Sequence, residues 1–125
     1  MVEVVLTGNE ITLQQIINVA RQGAKVSLSP LAEKNIIRSR RVVDKLVDES
    51  RVVYGVTTGF GKFSETFIEK KFTNSLQKNL IVSHAVGAGD FFKDEVVRAA
   101  MLLRVNNFAN GYSGVRPETV NALIA

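Results

Sequence analysis

Apolar residues fall along this chain in blocks of different period, divided by polar or glycine-containing stretches. Residues 2–6 form a short apolar run closed by Gly8-Asn9, which reads as a strand. Thr12 then stands where an N-cap would, with Gln15 three residues on and Ile11 and Ile16 flanking it. That arrangement predicts a capping box with a hydrophobic staple, and Gly23 is the expected left-handed end of the helix. Residues 25–28 alternate and predict a second short strand. Ser29-Pro30 opens a long helix, with serine as N-cap and proline at the first helical position. Ala32, Ile36, Val43, Leu46 and Val47 recur at helical spacing on it, opposite a charged face carrying Glu33, Arg38, Arg40, Arg41, Asp44, Asp48 and Glu49. This amphipathic helix delivers the chain to Val52 and Tyr54.

A further helix is expected from residue 69 to about 87. Its first half is polar, and residues 80–86 are apolar nearly all round, a pattern that calls for burial on every side. Gly87-Ala88-Gly89-Asp90 breaks it, and Asp94 is the expected cap of a helix over about 95–108 that is almost continuously apolar. Within that helix Arg104, Asn106 and Asn107 each need a partner. With Arg116 they are expected to tie helix ends and loops together. Residues 110–114 read as a turn, and Pro117-Glu118 starts a last helix. The fold class is therefore mainly α with short β-strands. The apolar helices exceed what so short a chain covers comfortably, and no capping signal follows Leu123-Ile124-Ala125. The expectation is a single segment, 1–125, of a larger protein, or else a small domain that oligomerises.

Composition narrows the chemistry. The 46% hydrophobic content of the 125 residues suffices for a core, and the absence of cysteine excludes disulfides, thiolate catalysis and zinc–cysteine sites. A cysteine-free chain suits a reducing cytoplasm. The first residues lack the basic region of a signal peptide, and no apolar run approaches the ~20 residues of a spanning helix. The net charge of +4 draws on Arg38, Arg40 and Arg41, which alternate with acidic residues and lack interleaved aromatics. They read as a solvated helix face, not a nucleic-acid surface.

The stretch that invites chemistry is 52–63, Val-Val-Tyr-Gly-Val-Thr-Thr-Gly-Phe-Gly-Lys-Phe. Val52-Val53 favours extended backbone, so the stretch reads as a strand end running into a glycine-rich turn beside the phenol of Tyr54. It is not a P-loop, because Val56 and Phe63 stand where that motif needs glycine and a hydroxyl residue. The dinucleotide pattern fails at Ser64. His84 is the one histidine, on a stripe with Leu76, Leu80 and Gly87, and one histidine makes no metal site. Two readings stay open for it, a buried histidine bonded to a neighbour or an imidazole aimed into a pocket.

Four blocks in register carry a resemblance: Tyr54-Gly-Val-Thr-Thr-Gly-Phe-Gly-Lys-Phe, Leu76-Gln-Lys-Asn-Leu-Ile-Val-Ser-His84-Ala-Val-Gly, Met101-Leu-Leu-Arg-Val-Asn and Gly111-Tyr-Ser-Gly-Val-Arg116. Together they resemble the N-terminal region of the aromatic amino-acid ammonia-lyases, whose fold is a helical bundle, and among them the histidine-specific members. The resemblance implies elimination of ammonia from histidine to give urocanate in a cytoplasmic homotetramer whose active sites form where subunits meet. It implies a methylidene-imidazolone prosthetic group made from an Ala-Ser-Gly tripeptide, which these 125 residues do not contain, so the segment alone is expected inactive. Tyr54 matches the family's catalytic tyrosine, a proton-transfer role for which a phenol of ordinary pKa ~10 needs its phenolate stabilised. His84 matches a substrate-pocket position, and Gly61 is placed with it on the substrate side. Val56-Thr57-Thr58 is closer to the phenylalanine enzymes, while Lys62-Phe63 and Ser83-His84 point to histidine. A phenylalanine or tyrosine ammonia-lyase, an aminomutase, or a stand-alone binding or interaction domain are the alternatives.

Overall fold

The chain begins with a β-α-β unit. Strands β1 (Glu3–Leu6) and β2 (Lys25–Leu28) pair in parallel, Val4 beside Val26 and Leu6 beside Leu28, and helix α1 (Leu13–Gln22) connects them. In this computed structural model, residues 2–63 and 68–125 are described, without the side chains of Phe63, Lys70 and Thr73. Ser64, where the dinucleotide pattern fails, lies outside the described residues. Helix α1 starts as its sequence requires. The Gln15 N–H donates to the Thr12 hydroxyl at 3.2 Å, and the Thr12 N–H donates to the Gln15 side chain at 2.8 Å, so two N-terminal groups are satisfied reciprocally. Gly23, at φ +66°, turns the chain away from α1 and into β2.

Helix α2 (Pro30–Asp48) follows, its first turn held by the Ala32 N–H on the Ser29 hydroxyl at 3.2 Å. Three more α-helices follow: α3 (Lys70–His84), α4 (Asp94–Ala109) and α5 (Pro117–Ile124). Among the described residues, five α-helices and one two-stranded sheet make the fold mainly α with short strands.

Two compact units divide the chain. One comprises the residues up to Arg41 with Phe91–Ala125. Its core is Val4, Leu6, Ile36, Leu102, Val105 and Val120, and Ile11 and Ile16 of the predicted staple pack against it. Helix α4 packs on α1, α5 and β1, while Arg21 at the end of α1 pairs with Glu95 at the start of α4 at 2.6 Å. Asn106 ties the loop after β1 to α4, its side-chain oxygen accepting from the Gly8 N–H at 3.2 Å and its amide donating to the Asn9 carbonyl at 2.7 Å. That meets the expectation of a structural polar insertion. Arg104 instead lies over the Phe108 ring, 5.8 Å from its centroid.

Three expectations are corrected in detail. Asp94 is the first helical residue, not the cap. Lys93 holds the extended cap conformation, and its carbonyl accepts from the Val96 and Val97 N–H groups. Asp94 and Glu95 act through their charge on the positive end of the helix. Arg40 leaves the solvated face and donates to the Gly114 carbonyl at 3.3 Å, joining α2 to the turn before α5. Only one side of α4, through Leu102, Val105 and Ala109, reaches the core, so Val96, Val97 and Leu103 stay exposed.

The second unit, Val42–Asp90, holds the end of α2, the glycine-rich stretch and α3. The apolar end of α3 is not buried on all sides. Ile81 and Val82 are 68% and 70% exposed, because burial needs a packing partner and the described residues supply none there. No helix among the described residues is long and apolar enough to cross a membrane.

Candidate functional site

The glycine-rich stretch is anchored where α2 ends. Ser50 takes the left-handed conformation at φ +52°, and the Arg51 N–H donates back to the Leu46 carbonyl at 3.1 Å. The chain then enters residues whose β-branched side chains predicted extended backbone. No strand forms at Val52-Val53. The Val53 carbonyl accepts from both the Val56 and Thr57 N–H groups at 3.0 Å, closing a tight turn with Tyr54 and Gly55 inside it.

Two hydroxyls explain why the turn wins over the strand. The Val53 N–H donates to Thr57 Oγ1 at 2.9 Å, and that hydroxyl donates to the Arg51 carbonyl. The Gly55 N–H donates to Thr58 Oγ1 at 3.3 Å, and that hydroxyl donates to the Gly59 carbonyl at 3.0 Å. Local side-chain bonds of this kind offer backbone groups an alternative to a sheet ladder. Thr57 and Thr58 are 3% and 0% exposed, and among the described residues no buried side-chain polar atom lacks a partner. Gly55 sits at φ +72°, where a Cβ would come within 3.3 Å of the Phe60 ring. That ring meets Tyr54 edge-on, with centroids 5.7 Å apart. Tyr54 itself is 63% exposed. A buried, fully bonded foundation thus presents an outward-facing phenol.

Gly61 opens a 3-10 turn, Gly61–Phe63, at φ +56°, and a Cβ there would meet nothing within 4 Å. Conformation, not crowding, selects glycine at this position. His84 is the last residue of α3 and is exposed. Its Nδ1 lies 2.9 Å from the Leu80 carbonyl and 3.0 Å from the Ser83 hydroxyl, which also donates to Leu80 at 3.0 Å. A carbonyl only accepts, so Nδ1 carries the proton facing it, and Nε2 has no hydrogen-bond partner among the described residues and is open to an outside group. The residue is bonded to a neighbour, as the first sequence reading has it, but at the surface. Among the described residues no hydrogen bond or ring contact joins Tyr54, Gly61 and His84.

The sequence reading missed Thr57 and Thr58 as structural determinants. The available signal was a pair of short hydroxyl side chains, Thr57 four residues beyond Val53 and Thr58 three beyond Gly55, spacings at which they bond back to local backbone. It also missed an open groove of about 700 Å³ in the other unit, lined by Val26, Met101, Leu123 and Ile124, with Asp94 and Arg98. None of the candidate site residues lines it.

Comparison with known proteins agrees over nearly the whole chain. Residues 11–125 match the family described as "Aromatic amino acid lyase". The histidine ammonia-lyase of Caldanaerobacter subterraneus subsp. tengcongensis is 53% identical over 124 residues, which are 99% of this chain and 24% of that protein. Among solved structures, ergothionase from Treponema denticola superposes with a TM-score of 0.91 at 29% identity, covering 97% of this chain and 24% of its own. Histidine ammonia-lyase from Trypanosoma cruzi superposes with a TM-score of 0.89 at 35% identity, covering 98% of this chain and 24% of its own. The chain thus spans about a quarter of the length of the curated relatives it matches. An identity of this level along almost every residue, carried on the same backbone, places the chain in the aromatic amino acid lyase family.

Proposed function

We propose that this chain serves as the N-terminal part of a histidine ammonia-lyase, which eliminates ammonia from histidine to give urocanate. In that reaction the Cα–N bond and one Cβ–H bond break, a carbon–carbon double bond forms, and ammonia leaves. Tyr54 is the proton-transfer residue. The observation that supports this role is its outward-facing hydroxyl on a turn whose foundation is buried, so the group is both accessible and held. His84 is the substrate-binding residue, its Nε2 accepting from the N–H of the substrate's imidazole ring. Gly61, with open space where a Cβ would stand, lets substrate approach the backbone.

The prosthetic group of this reaction comes from elsewhere. No Ala-Ser-Gly occurs in these residues, so they do not form a methylidene-imidazolone. Enclosure of the site also comes from outside, since both Tyr54 and His84 are exposed in this chain. Completion of the pocket by other subunits of a homotetramer, in the cytoplasm, belongs to the same proposal.

The test is a chimera in which residues 1–125 replace the matching quarter of the Caldanaerobacter relative. Urocanate formation from histidine, with phenylalanine and tyrosine as competing substrates, reads out both activity and preference. The proposal expects turnover on histidine first, and none by the 125-residue chain alone. A folded, tetrameric chimera that ignores histidine and turns over tyrosine would refute the substrate. Tyr54→Phe in the chimera is expected to cut turnover by about two to four orders of magnitude. Near-normal turnover in that variant would refute the role of Tyr54.

A further inference from the structure

Both backbone N–H groups that flank Tyr54, those of Val53 and Gly55, end on the side chains of consecutive threonines. Each threonine then passes its own proton to a carbonyl of the same loop, Thr57 to Arg51 and Thr58 to Gly59. The carbonyl of Val53 is itself occupied by the Val56 and Thr57 N–H groups. The peptide units on either side of Tyr54 therefore have little freedom to rotate, although its side chain is 63% exposed. Gly55 beside it is at φ +72°, a conformation that an unanchored glycine exchanges readily for others. Burial of both threonines shields these bonds from competing water.

We infer that Thr57 and Thr58 are positioning residues for Tyr54, fixing the direction in which its hydroxyl leaves the loop. The inference rests on the proton-transfer role proposed for Tyr54, but the hydroxyl clamp can be measured apart from it. Neither threonine touches substrate in this reading. Their contribution lies in keeping the phenol in the one orientation that reacts, where a displacement of about 1 Å costs ~100-fold in rate.

The experiment uses the full-length chimera and compares Thr57→Val and Thr58→Val, which keep shape and lose the hydroxyl, with Thr57→Ser and Thr58→Ser, which keep the hydroxyl. Each valine variant is expected to lower kcat by about 10–100-fold while KM for histidine stays within about two-fold, as loss of orientation at unchanged ground-state binding requires. Each serine variant is expected to return kcat to within about three-fold of the parent. Amide exchange should quicken at Val53 in Thr57→Val and at Gly55 in Thr58→Val, and not in the serine variants. In a Tyr54→Phe background, Thr58→Val should cause no further loss of kcat, because nothing remains to be positioned. Valine variants with normal kcat overturn the inference, and so do serine variants as impaired as valine. Should a valine variant fail to fold, Thr57→Ala or Thr58→Ala, which also removes the hydroxyl, takes its place with the same expected loss of kcat and faster exchange, and normal kcat in it overturns the inference. If Tyr54→Phe keeps full turnover, the catalytic reading falls, while the exchange rates still report whether the clamp exists.

Discussion

Gly111 lies in the turn between α4 and α5, and it allows that turn to sit directly on α2. Its φ is +75°, and a Cβ built there would stand 2.6 Å from the Asn35 Cβ, 2.7 Å from the Asn35 carbonyl oxygen and 2.8 Å from its carbonyl carbon. Carbon atoms in contact prefer ~3.5–4.0 Å, so alanine falls short by about 1 Å. Two of the three atoms are helix backbone, which no rotamer change can move aside. Alanine would also carry the left-handed penalty, roughly 1–2 kcal/mol. Forced overpacking adds about 1–3 kcal/mol, giving about 2–5 kcal/mol for Gly111→Ala. Gly23 supplies the control. Its φ is +66°, but nothing lies within 4 Å of a Cβ there. Gly23→Ala therefore pays the conformational penalty alone, about 1–2 kcal/mol. Melting followed by far-UV circular dichroism measures both, at roughly 2–8 °C per kcal/mol across domains of about 60–250 residues. The Gly111 variant should melt well below the Gly23 variant. Equal losses would show that the contact with Asn35 is not tight in solution, and the packing of this turn on α2 would be misjudged.

Other outcomes follow from the same structure. Leu102 and Leu103 are neighbours on α4 at 3% and 45% exposure, so Leu102→Ala should cost about 2–5 kcal/mol in urea unfolding and Leu103→Ala under ~1 kcal/mol. Asn106→Ala frees the Gly8 N–H and the Asn9 carbonyl, and should lower stability by about 1–3 kcal/mol with faster exchange at Gly8. Thr12→Ala removes the cap of α1 and should cost roughly 1 kcal/mol, read as a shift in the unfolding midpoint. Ile81, Val82 and Val86 in one unit, and Phe91 and Phe92 in the other, are each exposed, so the isolated chain should self-associate at tens of micromolar, where sedimentation of a clean monomer would count against it.

Local signals transferred well from sequence to structure wherever one short stretch contains both donor and acceptor. The Thr12 and Gln15 box, the Ser29-Pro30 start, the Gly23 stop and the Pro117 start all appear as read. Each depends on backbone groups within one turn of helix, and no distant partner can overrule them cheaply. Signals that depend on a partner transferred less well. Arg40 looked like one more charge on a wet face, and only the arrival of Gly114 makes it a tie between α2 and the turn before α5. The apolar end of α3 predicts a buried environment, yet hydrophobicity states a requirement without naming what meets it.

The site shows the same division more sharply. Tyr54, Gly61 and His84 stand out only through motifs in register, and periodicity alone does not separate them from ordinary loop and helix residues. The expectation for Val52-Val53 failed because β propensity measures fit to a neighbouring strand, and here the nearest acceptors are two hydroxyls a few residues along. The backbone took the bonds that were closest in sequence. That choice has a consequence for the role proposed for Tyr54. A strand would have paired its amides with another element, so the direction of Tyr54 would follow any shift of that element. With both flanking amides satisfied inside residues 51–59, the phenol's direction is set by the loop itself. The glycines give the loop its path, while Thr57 and Thr58 remove the freedom those glycines would otherwise bring.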